Sequence, residues 1–149
     1  MSRRARRNIL GIGMISALGL AGAATAQIGV HKLAVQKRIY SMSDMAADAK
    51  LLGHMAKGKV GFDAKAAQTA VNDIAAEAAR IPTLFKAFET EPGSDARSTI
   101  WSNYSDFTAR ANALEQAAAR ATIRGPGDLA PALGSIGAAC SGCHKAYRK

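Results

Sequence analysis

Cysteine and histidine are scarce in this sequence of 149 residues. Its only cysteines are Cys140 and Cys143, and two of its three histidines, His31 and His54, stand apart in the chain. A structural zinc site needs four ligands, which usually come as two closely spaced pairs. The sequence offers neither a second cysteine pair nor a close histidine pair, and this absence argues against a zinc site.

The N-terminal apolar run, residues 9–20, is shorter than the about 20 residues that a helix needs to cross a bilayer. Arginines at positions 3, 4, 6 and 7 precede the run, and Ala24-Thr25-Ala26 follows it as a small-residue cleavage site. This order is typical of a secretory signal peptide. We predict that residues 1–26 are removed after about Ala26, with an uncleaved anchor as the alternative. In a bacterium the exported protein would lie in the periplasm.

Residues 27–149 contain no run of basic side chains. Four of the chain's 20 lysines and arginines and none of its 11 acidic residues fall in 1–26, so 27–149 hold 16 basic against 11 acidic residues, a formal charge of +5. That length is typical of one domain. We expect no nucleic acid partner, and the modest charge either steers an acidic redox partner or is a solvated surface. No nucleophile and base can be picked out, so we do not predict an enzyme.

What the sequence does contain is Cys140-Ser141-Gly142-Cys143-His144, close to the C-terminus. Two thiols three positions apart can each add to one vinyl group at the edge of a porphyrin, and the adjacent imidazole can then ligate the iron. The motif therefore predicts one covalent haem c, attached through Cys140 and Cys143, with His144 as the proximal ligand. A thioredoxin-like dithiol would stand at the start of a helix in a βαβ unit, and a disulfide across the pair would leave His144 unexplained.

Apolar residues recur at steps of three and four through four segments, a spacing that predicts an all-α, antiparallel up-down-up-down four-helix bundle. We expect Asp63 to cap the second helix, Ser94 or Asp95 the third and Asp128 the fourth. The predicted buried positions are Val35, Ile39, Met42, Ala46, Ala49 and Leu52 in the first helix, Ala67, Val71, Ile74, Ala78 and Ile81 in the second, Ile100, Tyr104, Phe107, Ala111, Leu114, Ala118 and Ala121 in the third, and Leu129, Leu133, Ile136, Cys140, Cys143 and Tyr147 in the fourth.

Both cysteines continue the buried stripe of the fourth helix, so the haem is expected inside the bundle near the C-terminal end of that helix. An up-down-up-down order brings this end beside the start of the first helix, the end of the second and the start of the third. The expected lining is Arg38, Met42 and Met45, Phe85 and Phe88, and Trp101, Tyr104 and Phe107, although each aromatic side chain taken singly also fits ordinary core packing.

These residues resemble the class II cytochromes c, the group that contains cytochrome c′ and its low-spin His/Met relatives. The resemblance covers residues 27–149, and its most specific part is the Cys140 to His144 motif. The other matching features are Lys145-Ala146-Tyr147-Arg148 after the motif, Ile100-Trp101 with Phe107, Lys57-Gly58 leading to Phe62-Asp63, and Arg38 four residues before Met42.

The resemblance implies that the position of Met42 distinguishes two groups of family members. If its sulfur ligates iron, the protein is a six-coordinate electron carrier for periplasmic redox partners. If Met42 is only a packing residue, the sixth position is an apolar pocket for a small gas such as nitric oxide or carbon monoxide. The resemblance also implies that Arg38 contacts a haem propionate, against an exposed helical arginine as the alternative. It further implies a homodimer through the first two helices. A haem-free helical interaction module is the remaining hypothesis.

Overall fold

Four long helices dominate residues 32–149, the part of the chain that the computed structural model describes. The predicted signal segment, 1–26, lies outside these residues. The helices are α1 (Leu33–Ala56), α2 (Ala64–Leu84), the short α3 (Thr99–Ser102), α4 (Tyr104–Ala119) and α5 (Leu129–Tyr147), with one 3₁₀ turn at Pro126–Asp128. Within residues 32–149, none of these helices has the length and apolar character needed to cross a membrane.

The long helices pack as neighbours in chain order and close into a ring. α1 packs against α2, α2 against α4, α4 against α5, and α5 returns to α1. The up-down-up-down four-helix bundle predicted from the sequence is confirmed. Alanines on facing surfaces let the helices approach closely, because interaxial distance depends on the side chains at the contact. Those that are almost fully buried are Ala67, Ala70, Ala78, Ala111 and Ala118.

The apolar stripe of α2 has the predicted spacing, and all five of its predicted positions are buried. Asp63 starts the helix as expected, since its carboxylate accepts a hydrogen bond from the backbone N–H of Ala66 at 2.9 Å. Pro82 stands in the last turn, and the helix continues to Leu84. The carbonyl of Pro82 is bonded by the phenol of Tyr104, which ties the end of α2 to the start of α4.

The cap of α2 supplies a direct stability test. We expect Asp63→Ala to lower the free energy of unfolding by about 1 kcal/mol, because the N–H of Ala66 loses its acceptor. Asp63→Asn should retain most of the stability, since an amide oxygen can accept the same bond. Chemical denaturation of both variants measures the difference, and equal losses would contradict the role of the cap.

The starts of the third and fourth predicted helices differ from expectation. Neither Ser94 nor Asp95 caps a helix; the hydroxyl of Ser94 instead accepts a bond from the N–H of Ala96. The third helix forms in two parts, α3 and α4, because the backbone at Asn103 departs from helical geometry between them. Asp128 accepts bonds from the N–H groups of Arg124 and Gly125, so its carboxylate closes the turn before α5 without capping α5.

The predicted stripe of α1 is shifted around the helix. Val35 and Leu52 are buried as expected, but Ile39 and Ala46 are exposed and Met42 and Ala49 are half-buried. The residues that are buried in α1 are Val35, Arg38, Ser41, Met45, Leu52 and Met55. One edge of the apolar face of α1 therefore packs into the core, and the other edge, with Ile39, Met42 and Ala46, borders the cavity described next.

Candidate functional site

An open cavity of about 360 Å³ lies between the N-terminal half of α1 and the C-terminal end of α5. The connection between α2 and α3, residues 85–98, closes one side of it. Its lining comprises Val35, Arg38, Ile39, Met42, Ser43, Ala46, Phe85, Ser94, Asp95, Ala96, Ile100, Phe107, Cys143, His144, Tyr147 and Arg148. The structure thus brings Met42 and Arg38 to the same cavity as Cys143 and His144.

Cys140 and Cys143 lie one helical turn apart on α5, and both side chains are half-buried against the core. Only Cys143 lines the cavity; Cys140 lies one turn farther from the C-terminus. The two cysteines form no disulfide with each other, and burial raises the pKa of each thiol. Reactive dithiols have lowered thiol pKa values, so this environment is unlike that of a thioredoxin-type redox pair.

His144 reaches the cavity from the last turn of α5 and is partly exposed. Partial burial, assisted by the positive charge of Arg148, lowers the pKa of its imidazole. The neutral imidazole is the form that ligates a metal. The local electrostatics therefore favour the ligating form at neutral pH.

Arg38 is buried with 3% of its surface exposed, so the alternative of an exposed helical arginine is wrong. Its Nε, Nη1 and Nη2 atoms donate to the carbonyls of Leu84, Glu89 and Ala87 at 2.9, 2.6 and 2.7 Å. The guanidinium also lies over the rings of Phe85 and Trp101. Burial lowers its pKa, an effect that Glu89 partly opposes. Arg38 therefore fastens the start of the connection to α1, and a propionate contact stays a prediction.

Removal of the Arg38 side chain should measurably lower the stability of the fold. We expect Arg38→Ala to lower the free energy of unfolding by about 2–4 kcal/mol, because three backbone carbonyls lose a charged donor. Arg80→Ala is the matched control, since the side chain of Arg80 is 59% exposed and, among the residues that the structure describes, pairs with Glu77 alone. That change should stay within about 0.5 kcal/mol of the wild type. Equal losses in urea denaturation would contradict the role given to Arg38.

Four of the residues expected to line the cavity do not. Met45 faces the core, and Phe88 is 67% exposed and packs edge-on against Trp101 with ring centroids 4.8 Å apart. The indole N–H of Trp101 donates to the carbonyls of Phe85 and Ala87, and the phenol of Tyr104 bonds Pro82. Trp101 and Tyr104 thus hold the connection that forms the wall, whereas Phe85 and Phe107 line the cavity as predicted.

The other end of the connection forms a wall that the sequence pattern did not predict. Ala96 and Arg148 make a short antiparallel bridge. In it, the N–H of Arg97 donates to the backbone carbonyl of Tyr147, and the N–H of Lys149 donates to the backbone carbonyl of Asp95. The side chain of Arg148 adds a double contact to the carboxylate of Asp95 at 3.1 and 3.2 Å. No helical period marks residues 94–97, so only tertiary structure shows that they border the site.

The residues around the cavity fit a covalently bound haem. Ile39, Met42 and Ala46 form an apolar wall on α1 that is open to solvent in part, with Ile39 38% exposed, and a flat apolar group would cover it. Facing this wall, α5 offers the thiol of Cys143 and the imidazole of His144, and Cys140 lies one turn away on the same helix. Among residues 32–149, no three His, Cys, Asp or Glu side chains cluster as a set able to hold a bare metal ion. The donor set therefore suits a porphyrin held by thioethers better than a free ion.

Comparisons with known proteins agree with this chemistry. The family profile described as cytochrome C′ matches residues 33–148. Cytochrome c-556 of Agrobacterium tumefaciens is 37% identical over 117 residues, which cover 76% of this chain and 95% of the relative. Cytochrome c-554 of Cereibacter sphaeroides is 36% identical over 115 residues, covering 72% and 75%. The structure of cytochrome c′ from Rhodopseudomonas palustris has a TM-score of 0.74 at 26% identity, covering 80% of this chain and 98% of that one.

Proposed function

Because this chain belongs to the cytochrome c′ family and is a c-type cytochrome with covalently bound haem c, we propose that it is an electron carrier with His144 and Met42 as its axial ligands. The observation that carries the proposal is the shared cavity. Met42 of α1 and His144 of α5 both line it, and Cys143 stands beside His144. When bound, haem c supplies a one-electron iron couple.

Four residues of the chain would hold the haem and its iron. Cys140 and Cys143 provide the two thioether links from successive turns of α5. His144 offers a neutral imidazole nitrogen from the same helix, and Met42 offers a thioether sulfur from the apolar wall of α1. A His/Met ligand pair raises the reduction potential of haem iron, which suits electron transfer. The apolar side chains of Ile39 and Ala46 flank Met42 on the same wall of the cavity.

We propose that residues 1–26 direct export and are removed, and that the protein exchanges electrons with periplasmic redox partners.

A homodimer through α1 and α2 is supported by three exposed apolar side chains on one line of α1. Leu33, Tyr40 and Leu51 are 63%, 66% and 36% exposed, and their spacings of 7 and 11 residues place them on the same helix face. Sedimentation equilibrium should give a dimer, and a monomer at micromolar concentration would contradict this interface.

Optical spectra test the electron-carrier proposal. The holoprotein should be low-spin in both oxidation states, and the reduced form should bind no carbon monoxide at concentrations that saturate an open haem site. A high-spin reduced spectrum with prompt carbon monoxide binding would overturn Met42 ligation and favour a gas-binding cytochrome. Absence of haem from protein made with a cytochrome c maturation system would instead establish the haem-free module.

A further inference from the structure

A polar network joins α4 to the segment of α5 that carries Cys143 and His144. Its centre is the carboxylate of Asp106, where one oxygen, Oδ2, accepts bonds from Nε of Arg110 and from the phenol of Tyr147, each at 2.6 Å. Nη1 of Arg110 then donates to the carbonyl of Gly142 at 3.1 Å. Hydrogen bonds from Arg110 and Tyr147 hold the pKa of Asp106 below its usual value, so the carboxylate stays charged at neutral pH.

The two residues of α5 that this network contacts stand on either side of Cys143 and His144. Gly142 immediately precedes Cys143, and Tyr147 follows His144 by three positions. Tyr147 is 5% exposed, and its ring packs edge-on against Phe107 with centroids 5.3 Å apart. One contact before the pair and one after it restrict both the rotation of this turn about the helix axis and its translation along α4.

The anchoring at Gly142 suits a guanidinium in particular. A side chain at position 142 would stand 3.9 Å from Nη1 of Arg110, which shows how near the guanidinium lies to the backbone of the motif. Arg110 uses two arms at once, one toward Asp106 and one toward Gly142. A lysine has a single ammonium group and cannot reproduce this fork.

We infer that Arg110 and Asp106 are positioning residues that set the orientation of His144 through Gly142 and Tyr147. Neither residue lines the cavity, so they act on the proposed iron ligand only through α5. Partners of this kind, one step removed from a ligating histidine, commonly alter metal binding or activity by about 10–100-fold. The inference rests on the proposed role of His144 and is independent of whether Met42 ligates iron.

A purely electrostatic effect on the iron and a positioning effect on His144 predict different results, and four variants of the holoprotein distinguish them. If only the field of these charges matters, Arg110→Gln lowers the reduction potential, Asp106→Asn raises it, and Arg110→Lys leaves it unchanged. If positioning matters, Arg110→Gln, Asp106→Asn and Arg110→Lys all shift the iron–imidazole stretching frequency in the same direction. This frequency is measured on reduced protein that also carries Met42→Leu, because the mode is visible only when the sixth position of the iron is open. The double variant R110Q/D106N restores the net charge, and under positioning it should keep the shifted frequency.

Arg120→Gln is the matched control, because Arg120 directly follows α4 and, within residues 32–149, its side chain donates a hydrogen bond to the side chain of Gln116 alone. It should keep the wild-type frequency. Tyr147→Phe retains the ring and removes only the hydroxyl that donates to Asp106, so it provides a test if the Arg110 variants fail to fold. A smaller shift of the frequency in the same direction is expected.

Resonance Raman spectra and potentiometry of each holoprotein give the answer. Potential shifts of opposite sign in R110Q and D106N, with wild-type frequencies in R110K and in the double variant, would overturn the inference and leave a purely electrostatic effect. A wild-type spectrum that is high-spin would overturn Met42 ligation alone, because the comparison among these variants is made on the His144 side.

Discussion

Changing both Cys140 and Cys143 to serine is expected to abolish covalent haem attachment completely. A serine hydroxyl does not form the thioether that a cysteine thiol forms with a porphyrin vinyl group. Haem staining after denaturing electrophoresis, together with intact-mass measurement, detects the loss. The protein must be produced with a cytochrome c maturation system, so that the wild type is fully loaded.

Ser141→Ala is the control for this change. Ser141 lies between the two cysteines and is exposed, and its hydroxyl donates to the carbonyl of Ala138 in the same helix. Staining should be unchanged in this variant, which shows that the segment tolerates substitution. Covalent haem in the double cysteine variant would contradict the assignment of the attachment site.

Met42→Leu is expected to convert the six-coordinate centre to a five-coordinate one. Leucine nearly conserves the volume of methionine, so packing should cost less than about 1.5 kcal/mol, while the sulfur is lost. A thioether stabilises reduced iron, and the reduction potential should therefore fall by on the order of 100 mV within the ≈ 0.8 V range set by haem axial ligands. Potentiometry and carbon monoxide titration of the reduced protein measure both effects.

A second methionine in α1 gives the matched control. Met45 is 6% exposed, belongs to the core and does not line the cavity, so Met45→Leu makes the same chemical change away from the site. It should keep the wild-type spectrum and potential. If M42L also keeps them, Met42 is a packing residue and the electron-carrier proposal loses its sixth ligand.

Local and periodic features of this chain could be predicted from sequence. The buried positions of α2 follow from a spacing that only a helix can place on one face. The cap at Asp63 is also local, because its carboxylate bonds a backbone N–H three residues along the chain. The Cys140 to His144 motif is equally local, because all three donors lie within five residues. These features need no knowledge of the rest of the fold.

Features that depend on neighbouring elements could not be predicted. The sequence left Arg38 as either a propionate contact or an exposed helical arginine, because sequence does not show that three carbonyls of the connection surround it. The apolar face of α1 is wide enough to serve both the core and the cavity, and the periodicity alone did not separate Met45 from Met42. The network of Asp106, Arg110 and Tyr147 joins residues of two helices and has no sequence signature.

The connection of residues 85–98 also bears on how the cavity opens. Arg38 holds its first part to α1, and the bridge between Ala96 and Arg148 holds its last part to the end of α5. Release of this one segment would free both walls together, as a single cooperative unit of partial unfolding. The amides of Arg97 and Lys149, which close that bridge, would then exchange their hydrogens with the same opening free energy, below that of the bundle core.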